Sequence, residues 1–278
     1  MGDFEMKQYL YRLWQWIYKG VPVVKINAGI TYVQRGKLLS GQKIIVTGGS
    51  KGIGSHIASR FVQEGADVVI IGRNEDELIE VSSQINCKYI RYDLTDISGL
   101  SKLVEIAAEK LNGLTGLVNN AGICNIDNGF INVTEKSFDE QFLLNVKSPF
   151  FLTQAFVKYI NEHGVKSSGI IFITSERGLY PDDAPYGMTK AAIGNIISGI
   201  ARKFAQNGIH INGIAPGVTA HNEINKSEFS DDLYLKGAIG KRYILPEELS
   251  EVAVFLMSDV SKCISGEIIP CNQANHYK

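Results

Sequence analysis

The chain has 278 residues, of which 45% are hydrophobic and 21% charged, and its formal net charge is −1. This length and composition fit one globular α/β domain, and the near-neutral charge gives no basis for binding nucleic acid. No apolar run reaches the roughly 18–20 residues that a membrane-spanning helix needs. The four cysteines and five histidines lack metal-ligand spacing, so no metal site is predicted and a reduced, cytoplasmic protein is expected.

Residues 1–40 are predicted to form an N-terminal extension to a main domain at 41–278. An aromatic-rich stretch at 4–18 contains both tryptophans, Trp14 and Trp16. The simplest interpretation is a helix that packs on the domain or on a neighbouring subunit. Peripheral membrane contact by this stretch and disorder are the alternatives.

From residue 43 onward, short β-branched runs alternate with helical patterns. Nearly continuous apolar strands between helices indicate a parallel sheet that is covered on both faces. The predicted fold is therefore α/β, a single Rossmann-type doubly wound parallel sheet that binds its ligand at the carboxyl ends of the strands. The predicted strands are 43–47, 67–71, 88–92, 116–118, 169–174, 209–214 and 267–269, and the first three helices are 53–64, 75–85 and 98–111.

A glycine-rich loop follows the first predicted strand and precedes the first predicted helix, with the spacing G-x-x-x-G-x-G. Glycine permits a tight turn and a close approach of backbone N–H groups to phosphates, and the helix N-terminus adds a favourable dipole. The loop predicts a pyrophosphate site, although glycines that only make a turn are an alternative. The residues predicted to bind there are Gly48, Ser50, Lys51, Gly52, Ile53 and Gly54.

The end of the second predicted strand distinguishes between the two nicotinamide dinucleotides. A carboxylate there would accept a hydrogen bond from the ribose 2′-hydroxyl of NAD, but residues 70–74 contain none. Arg73 in this stretch and Lys51 in the glycine loop can instead bind a 2′-phosphate. NADP (NADPH) is therefore predicted in preference to NAD, unless Arg73 is only a solvated residue at a helix start. Asp93, followed by Leu94, is predicted at the adenine, although this stretch could equally be a helix cap.

Tyr186 and Lys190 form a Y-x-x-x-K pair far downstream of the glycine loop. Residues four apart are neighbours on one helix face, so the phenol and the ammonium are predicted to lie together. A phenol has a reference pKa near 10, and a nearby positive charge lowers it. The pair therefore predicts proton transfer to or from a carbonyl oxygen. The alternative is a buried aromatic residue and an unrelated surface lysine.

Over residues 40–272 the chain resembles the short-chain dehydrogenase/reductase family, and within it the 3-oxoacyl-carrier-protein reductases and related ketoreductases. The motifs that carry the resemblance are the glycine loop, Asn119-Asn120-Ala121-Gly122, Asn145, Ser175, the Tyr186–Lys190 pair and Pro216-Gly217. The resemblance implies an NADP-dependent enzyme that interconverts a ketone and a secondary alcohol. The hydride belongs to the cofactor, and the protein supplies position and protons.

The resemblance also implies a role for each catalytic residue. Tyr186 would be the acid in reduction and the base in oxidation, with its pKa lowered by Lys190 and by the oxidised cofactor ring. Ser175 would hold the carbonyl, while Asn145 would fix a water and Lys190 in a proton relay. Lys190 would also bind the nicotinamide ribose. The further cofactor contacts that the resemblance implies are Asn120, Ala121, Gly122, Pro216, Gly217, Val218 and Thr219.

Some of these residues have a purely structural alternative. Ser175 could be a turn residue at a strand end, Asn145 an amide on a helix surface, and Asn120 a structural hydrogen-bond donor.

The chain also has fewer residues between Ser175 and Tyr186 than the family usually has, and the intervening loop is charged. Its C-terminus lacks the acidic, glycine-rich ending of 3-oxoacyl reductases, and His221 stands where a threonine is common. The substrate is therefore left open as a 3-oxoacyl, sugar-like or other polar carbonyl compound, covered by a polar lid predicted at 219–242.

Two other functions and an assembly complete the sequence-based hypotheses. A nucleotide-sugar epimerase or dehydratase would need a different glycine loop and a larger C-terminal domain, and a non-catalytic binding protein would not need the catalytic residues.

The resemblance implies a homo-oligomer, a dimer or tetramer, formed by helices around 137–161 and 184–206. The apolar residues that support this interface, or else an internal core, are Phe150, Phe151, Leu152, Phe156, Ile193, Ile196, Ile197 and Ile200.

Overall fold

The structure, a computed structural model, describes Trp14 and residues 36–125, 129–220 and 233–277. Apart from Trp14, the aromatic stretch at 4–18 lies outside these described residues, and so do positions 221–232 of the predicted lid. None of the helices within the described ranges is long and apolar enough to cross a membrane.

A parallel β-sheet occupies the centre of the described residues. Its strands are β1 (Lys43–Thr47), β2 (Asp67–Gly72), β3 (Lys88–Arg91), β4 (Gly116–Asn119), β5 (Ser168–Ile173), β6 (Ile209–Pro216) and β7 (Ile268–Cys271). They are arranged in the order β3-β2-β1-β4-β5-β6-β7, and all neighbours are parallel. The chain therefore reverses its direction of winding between β1 and β4, which confirms the predicted doubly wound fold.

Helices connect the strands and cover the sheet. They are α1 (Gly52–Gln63), α2 (Glu75–Ile85), α3 (Leu100–Leu111), α4 (Glu135–Phe142), α5 (Ser148–Glu162), α6 (Pro185–Phe204) and α7 (Pro246–Met257). The helix predicted around 137–161 is in fact α4 and α5, joined by a π-helical turn at Leu143–Lys147. The sequence analysis did not predict α7, which begins with a proline at its first position.

Apolar side chains pack on both faces of the sheet. Along β1, Ile44 and Val46 belong to one cluster and Ile45 to the other, because successive side chains of a strand point to opposite faces. The first cluster includes residues of α1, α2 and α7, and the second includes residues of α3, α5 and α6. Helices therefore cover both faces, as the continuous apolar strands predicted.

The residues predicted to pair across subunits divide into three groups by burial. The core contains Leu152, Phe156, Ile193 and Ile197, which are each no more than 2% exposed, so for these four the internal interpretation is correct. Phe150 and Phe151, in contrast, are 38% and 36% exposed on α5. Ile196 and Ile200, on α6, are partly buried against the core. The two phenylalanines, and in part these isoleucines, therefore leave apolar surface for another subunit.

Candidate active site

The carboxyl ends of the strands open into one cleft of about 1020 Å³. This volume is at the upper end of the range of ligand-binding clefts, roughly 300–1,000 Å³. All but two of the predicted site residues line the cleft, and the exceptions, Gly54 and Asn145, are buried. The predicted residues that line it are Gly48, Ser50, Lys51, Gly52, Ile53, Arg73, Asp93, Leu94, Asn120, Ala121, Gly122, Ser175, Tyr186, Lys190, Pro216, Gly217, Val218 and Thr219.

Hydrogen bonds from residues directly after β4 hold the glycine loop in place. The side-chain amide of Asn120 donates hydrogen bonds to the carbonyl oxygens of Thr47 and Gly48, at 2.9 and 3.0 Å. The Thr47 hydroxyl accepts in return from the backbone N–H groups of Asn120 and Ala121. Asn120 is thus a structural hydrogen-bond donor, and it also lines the cleft.

The glycines of this loop are required by close packing. Gly48 has a φ of +62°, in the left-handed region that glycine adopts readily. A Cβ atom on Gly54 would lie 2.2 Å from the Gly48 carbonyl oxygen and 2.4 Å from the Asn120 amide nitrogen. The residues present therefore fit a phosphate-binding cradle, in which the loop lies directly against the start of α1.

Charged and polar side chains surround the end of β2. Arg73 and Lys51 are both exposed and line the cleft, as predicted. Asp93 lies on the same cleft, and its Oδ1 atom accepts from the backbone N–H and the hydroxyl of Thr95, at 3.0 and 2.8 Å. The Thr95 hydrogen bonds, and then the charge of Arg73, keep the pKa of Asp93 below its ordinary value. Asp93 is therefore ionised. Its carboxylate stabilises the turn that contains Thr95 and also lines the cleft.

Glu77 is a cleft residue that the sequence analysis missed. Its Oε2 atom accepts a hydrogen bond of 3.0 Å from the Ser50 hydroxyl. The expected position for a carboxylate is the strand end at residues 70–74, whereas Glu77 lies in the first turn of α2. Helical side chains point back toward the N-terminus, so a first-turn residue can reach the strand end that precedes its helix. That rule is the signal by which Glu77 could have been found.

Tyr186, Lys190 and Ser175 come together as predicted. Tyr186 lies in the first turn of α6, and the Lys190 ammonium lies 5.4 Å from the centroid of its ring. The hydroxyl of Ser175, at the end of β5, is close enough to the Tyr186 phenol to lower its pKa. The Lys190 ammonium donates to the carbonyl oxygen of Ile173, at 3.0 Å. The three functional groups therefore converge on one end of the cleft.

The protonation of this pair differs from the expectation. Burial raises the pKa of Tyr186 to about 12, and the nearby Ser175 hydroxyl and the charge of Arg177 offset this only in part. Burial also lowers the pKa of Lys190 to about 8. The expected acidification of the phenol by Lys190 is therefore not realised by the protein alone, because desolvation is the larger effect. The phenol is protonated at neutral pH, as a proton donor must be.

A compact loop compensates for the short spacing between Ser175 and Tyr186. A Cβ atom on Gly178 would lie 2.7 Å from the backbone of Lys190, so this glycine lets the loop rest directly on α6. Arg177 and Asp182 form an ion pair with two hydrogen bonds across the loop, at 2.5 and 2.8 Å. The same Asp182 carboxylate accepts from the backbone N–H of residue 184 at the start of α6. These contacts hold Tyr186 within reach of Ser175.

Asn145 lies in the π-helical turn between α4 and α5, a feature that is frequent at functional sites. It is 2% exposed, so the surface-amide interpretation is wrong. Its amide exchanges two hydrogen bonds of 2.8 Å with the backbone of Ile123 and donates to the Thr189 hydroxyl at 3.2 Å. A Cβ atom on Gly122 would lie 3.1 Å from its Oδ1 and 3.6 Å from the Lys190 ammonium. Asn145 and Lys190 thus approach the same glycine from two sides.

The buried Lys190 should make stability depend on pH. Because its pKa is lowered to about 8, the unfolded chain binds one more proton than the folded chain between about pH 8 and the reference pKa near 10.4. The contribution of Lys190 to the free energy of unfolding should rise with pH in that window, by up to about 1.4 kcal/mol per pH unit, and it does not change with pH below the window. Urea unfolding of the wild type and of Lys190→Met would be measured at both ends of this window. Between about pH 8 and pH 10, the difference between their free energies of unfolding should shift by about 2 kcal/mol in favour of the wild type. If this difference did not change with pH, the lowered pKa assigned to the buried Lys190 would be contradicted.

Comparison with known proteins identifies relatives of this fold and site. The family model described as Enoyl-(Acyl carrier protein) reductase matches residues 48–273. A gluconate 5-dehydrogenase of Gluconobacter oxydans is 32% identical over 83% of this chain and 93% of its own. A 2-dehydro-3-deoxy-D-gluconate 5-dehydrogenase of Dickeya dadantii is also 32% identical, over 83% of this chain and 94% of its own.

Solved structures agree with this comparison. A short chain dehydrogenase of Burkholderia cenocepacia in complex with NADP superposes with a TM-score of 0.77, at 25% identity over 86% of this chain and 99% of its own. The family match, the relatives and the cleft together show an oxidoreductase that uses a nicotinamide cofactor and acts on an alcohol or ketone. The chain belongs to the short-chain dehydrogenase/reductase family.

Proposed function

We propose that this protein uses NADP(H) to interconvert a ketone and a secondary alcohol, with Tyr186 as the proton donor in reduction and the acceptor in oxidation. The convergence of Ser175, Tyr186 and Lys190 in one cleft, with the Lys190 ammonium 5.4 Å from the Tyr186 ring centroid, is the observation that supports this most strongly. When bound, the cofactor supplies the hydride. An assay of cofactor oxidation on a panel of ketones tests the proposal.

Each side chain of the catalytic group has one task in this proposal. The Ser175 hydroxyl orients the carbonyl oxygen toward the phenol, and the protonated Tyr186 donates to it. Lys190 holds the nicotinamide ribose and supplies positive charge beside the phenol. Asn145 supports the proton relay through Lys190. The glycine loop and the stretches at 120–122 and 216–219 hold the cofactor.

We propose a polar, hydroxylated carbonyl compound as the substrate. Two relatives are named for dehydrogenation of gluconate and of 2-dehydro-3-deoxy-D-gluconate, which are hydroxylated acids. In this chain, the Arg177 side chain lies at the cleft, and its guanidinium is 5.6 Å from the Tyr186 ring centroid. Arg177 is paired with Asp182, and this charged pair beside the reacting group favours a polar substrate over a plain hydrocarbon ketone. Turnover of apolar ketones alone would contradict this substrate class.

The cofactor preference should depend on Arg73. Charge-assisted contacts from Arg73 and Lys51 to a 2′-phosphate are expected to favour NADPH over NADH by about tenfold to several hundredfold. Arg73→Asp should erase or reverse this preference in fluorescence titrations of both cofactors. Arg91→Asp is the matched control, since Arg91 is an exposed arginine at the end of the neighbouring strand and does not line the cleft. Equal dissociation constants of the wild type for both cofactors would contradict NADP preference.

We propose a homo-oligomer, a dimer or tetramer, assembled through α6 and the outer surface of α4 and α5. Phe138, Phe150 and Phe151 are between 36% and 39% exposed there. A groove beside them is lined by the apolar residues Phe142, Leu143, Val146 and Phe150, together with charged residues. Light scattering at micromolar concentration should therefore give a multiple of the monomer mass. A monomer mass would count against the assembly.

The cytoplasmic location stays a prediction from composition.

A further inference from the structure

The cofactor-binding cleft carries balanced charge at the end of β2. Two cations, Lys51 and Arg73, line this part of the cleft, and two carboxylates, Glu77 and Asp93, line it as well. A site that selects only a 2′-phosphate needs positive charge, whereas a site for a 2′-hydroxyl needs a carboxylate acceptor. The described residues offer both.

Glu77 is held in this position by contacts on both of its sides. The Ser50 hydroxyl donates to its carboxylate at 3.0 Å. The adjacent Leu78 is fully buried, and a Cβ atom on Gly72 would lie 3.4 Å from its Cδ2 atom, so α2 packs closely against the end of β2. The Asn74 side chain also caps α2 by accepting from the backbone N–H groups of residues 76 and 77. The carboxylate therefore belongs to the built wall of the cleft.

We infer that Glu77 limits the preference for NADP and lets the same site bind NAD. This inference rests on the proposed NADP(H) function. A 2′-phosphate would meet a carboxylate of like charge, and the Ser50 hydroxyl could donate to the phosphate only by leaving Glu77. A 2′-hydroxyl, in contrast, could donate to Glu77 directly. Arg73 and Glu77 thus act in opposite directions on the choice of cofactor.

A charge series at position 77 tests this inference through binding alone. Dissociation constants of NADPH and NADH would be measured by fluorescence titration for the wild type, Glu77→Gln and Glu77→Lys. We expect the ratio of the NADH to the NADPH dissociation constant to rise about tenfold in Glu77→Gln and further in Glu77→Lys, because like-charge repulsion is removed and then replaced by attraction. The NADH dissociation constant itself should increase in both variants. Competition by 2′,5′-ADP and 5′-AMP should show the same change, since these ligands occupy only the adenosine end.

Glu80→Gln is the matched control. Glu80 lies one turn further along α2, is exposed, and contacts Gln84 rather than the cleft. Its substitution removes the same charge and should leave both dissociation constants within about twofold of the wild type. The inference is overturned if the ratio in Glu77→Gln changes no more than in this control, or falls. A wild type that prefers NADH would instead refute the NADP proposal, and the change caused by Glu77→Gln would still decide the role of Glu77.

Discussion

Tyr186→Phe is expected to abolish turnover while it leaves NADPH binding nearly unchanged. The substitution removes only the phenolic oxygen, which lies beside Ser175 and carries the proton that the carbonyl oxygen would receive. A positioned general acid contributes roughly 10²–10⁴-fold to a rate, so a loss of that size is expected in the chemical step. Single-turnover kinetics and a fluorescence titration of NADPH would measure the two effects separately.

Tyr159→Phe is the control for this experiment. Tyr159 lies on α5, where its ring stacks on His163 away from the cleft. The same loss of a phenolic oxygen at this position should leave the chemical step unchanged. If Tyr186→Phe retained more than about a tenth of the wild-type rate, a loss below the range for a general acid, another group would have to be the acid.

Gly54→Ala should weaken NADPH binding by about a hundredfold. The added Cβ atom would lie 2.2 Å from the Gly48 carbonyl oxygen, so either the glycine loop or the start of α1 must move. Overpacking of this kind costs roughly 1–3 kcal/mol, and every 1.4 kcal/mol is a tenfold change in affinity. Calorimetric titration would measure the loss, and the melting temperature should fall as well.

Gly199→Ala provides the contrast. Gly199 lies within α6, where an added Cβ atom would meet no atom within 4 Å. Alanine is a better helix former than glycine by about 1 kcal/mol, so this variant should be more stable and bind NADPH normally. Unchanged NADPH affinity in Gly54→Ala would mean that the close packing of the loop is not needed for the cofactor.

The sequence predicted the sheet because its signals are local. The strand at 43–47 and the helix at 75–85 have the bounds that β1 and α2 show, since β-branched runs and turn residues mark their ends. The helix α7 was missed although it has a proline at its first position and the Glu248 carboxylate accepts from the backbone N–H of Leu245. These signals occupy only four residues and do not by themselves distinguish a helix start from a turn.

Features that depend on distant packing could not be predicted in the same way. The opposite pKa shifts of Tyr186 and Lys190 come first from burial, which no spacing of residues reveals. The closure of the short loop depends on Gly178 resting on the backbone of α6, a contact between separate elements. Glu77 differs from these features because its signal is local. The usual position for a carboxylate is the end of β2, whereas Glu77 reaches the same place from the first turn of α2.

Hydride transfer with labelled cofactor is the most direct test of the proposed function. NADPH that carries deuterium on the transferable position of its nicotinamide ring would be incubated with a panel of hydroxylated ketones and the wild-type enzyme. We expect a secondary alcohol with deuterium on the former carbonyl carbon, formed in equal amount to the NADP produced, and its formation should be at least about a hundredfold slower with Tyr186→Phe. If NADPH binds but no member of the panel is reduced, and no corresponding alcohol is oxidised with NADP, the proposed ketone–alcohol chemistry is contradicted.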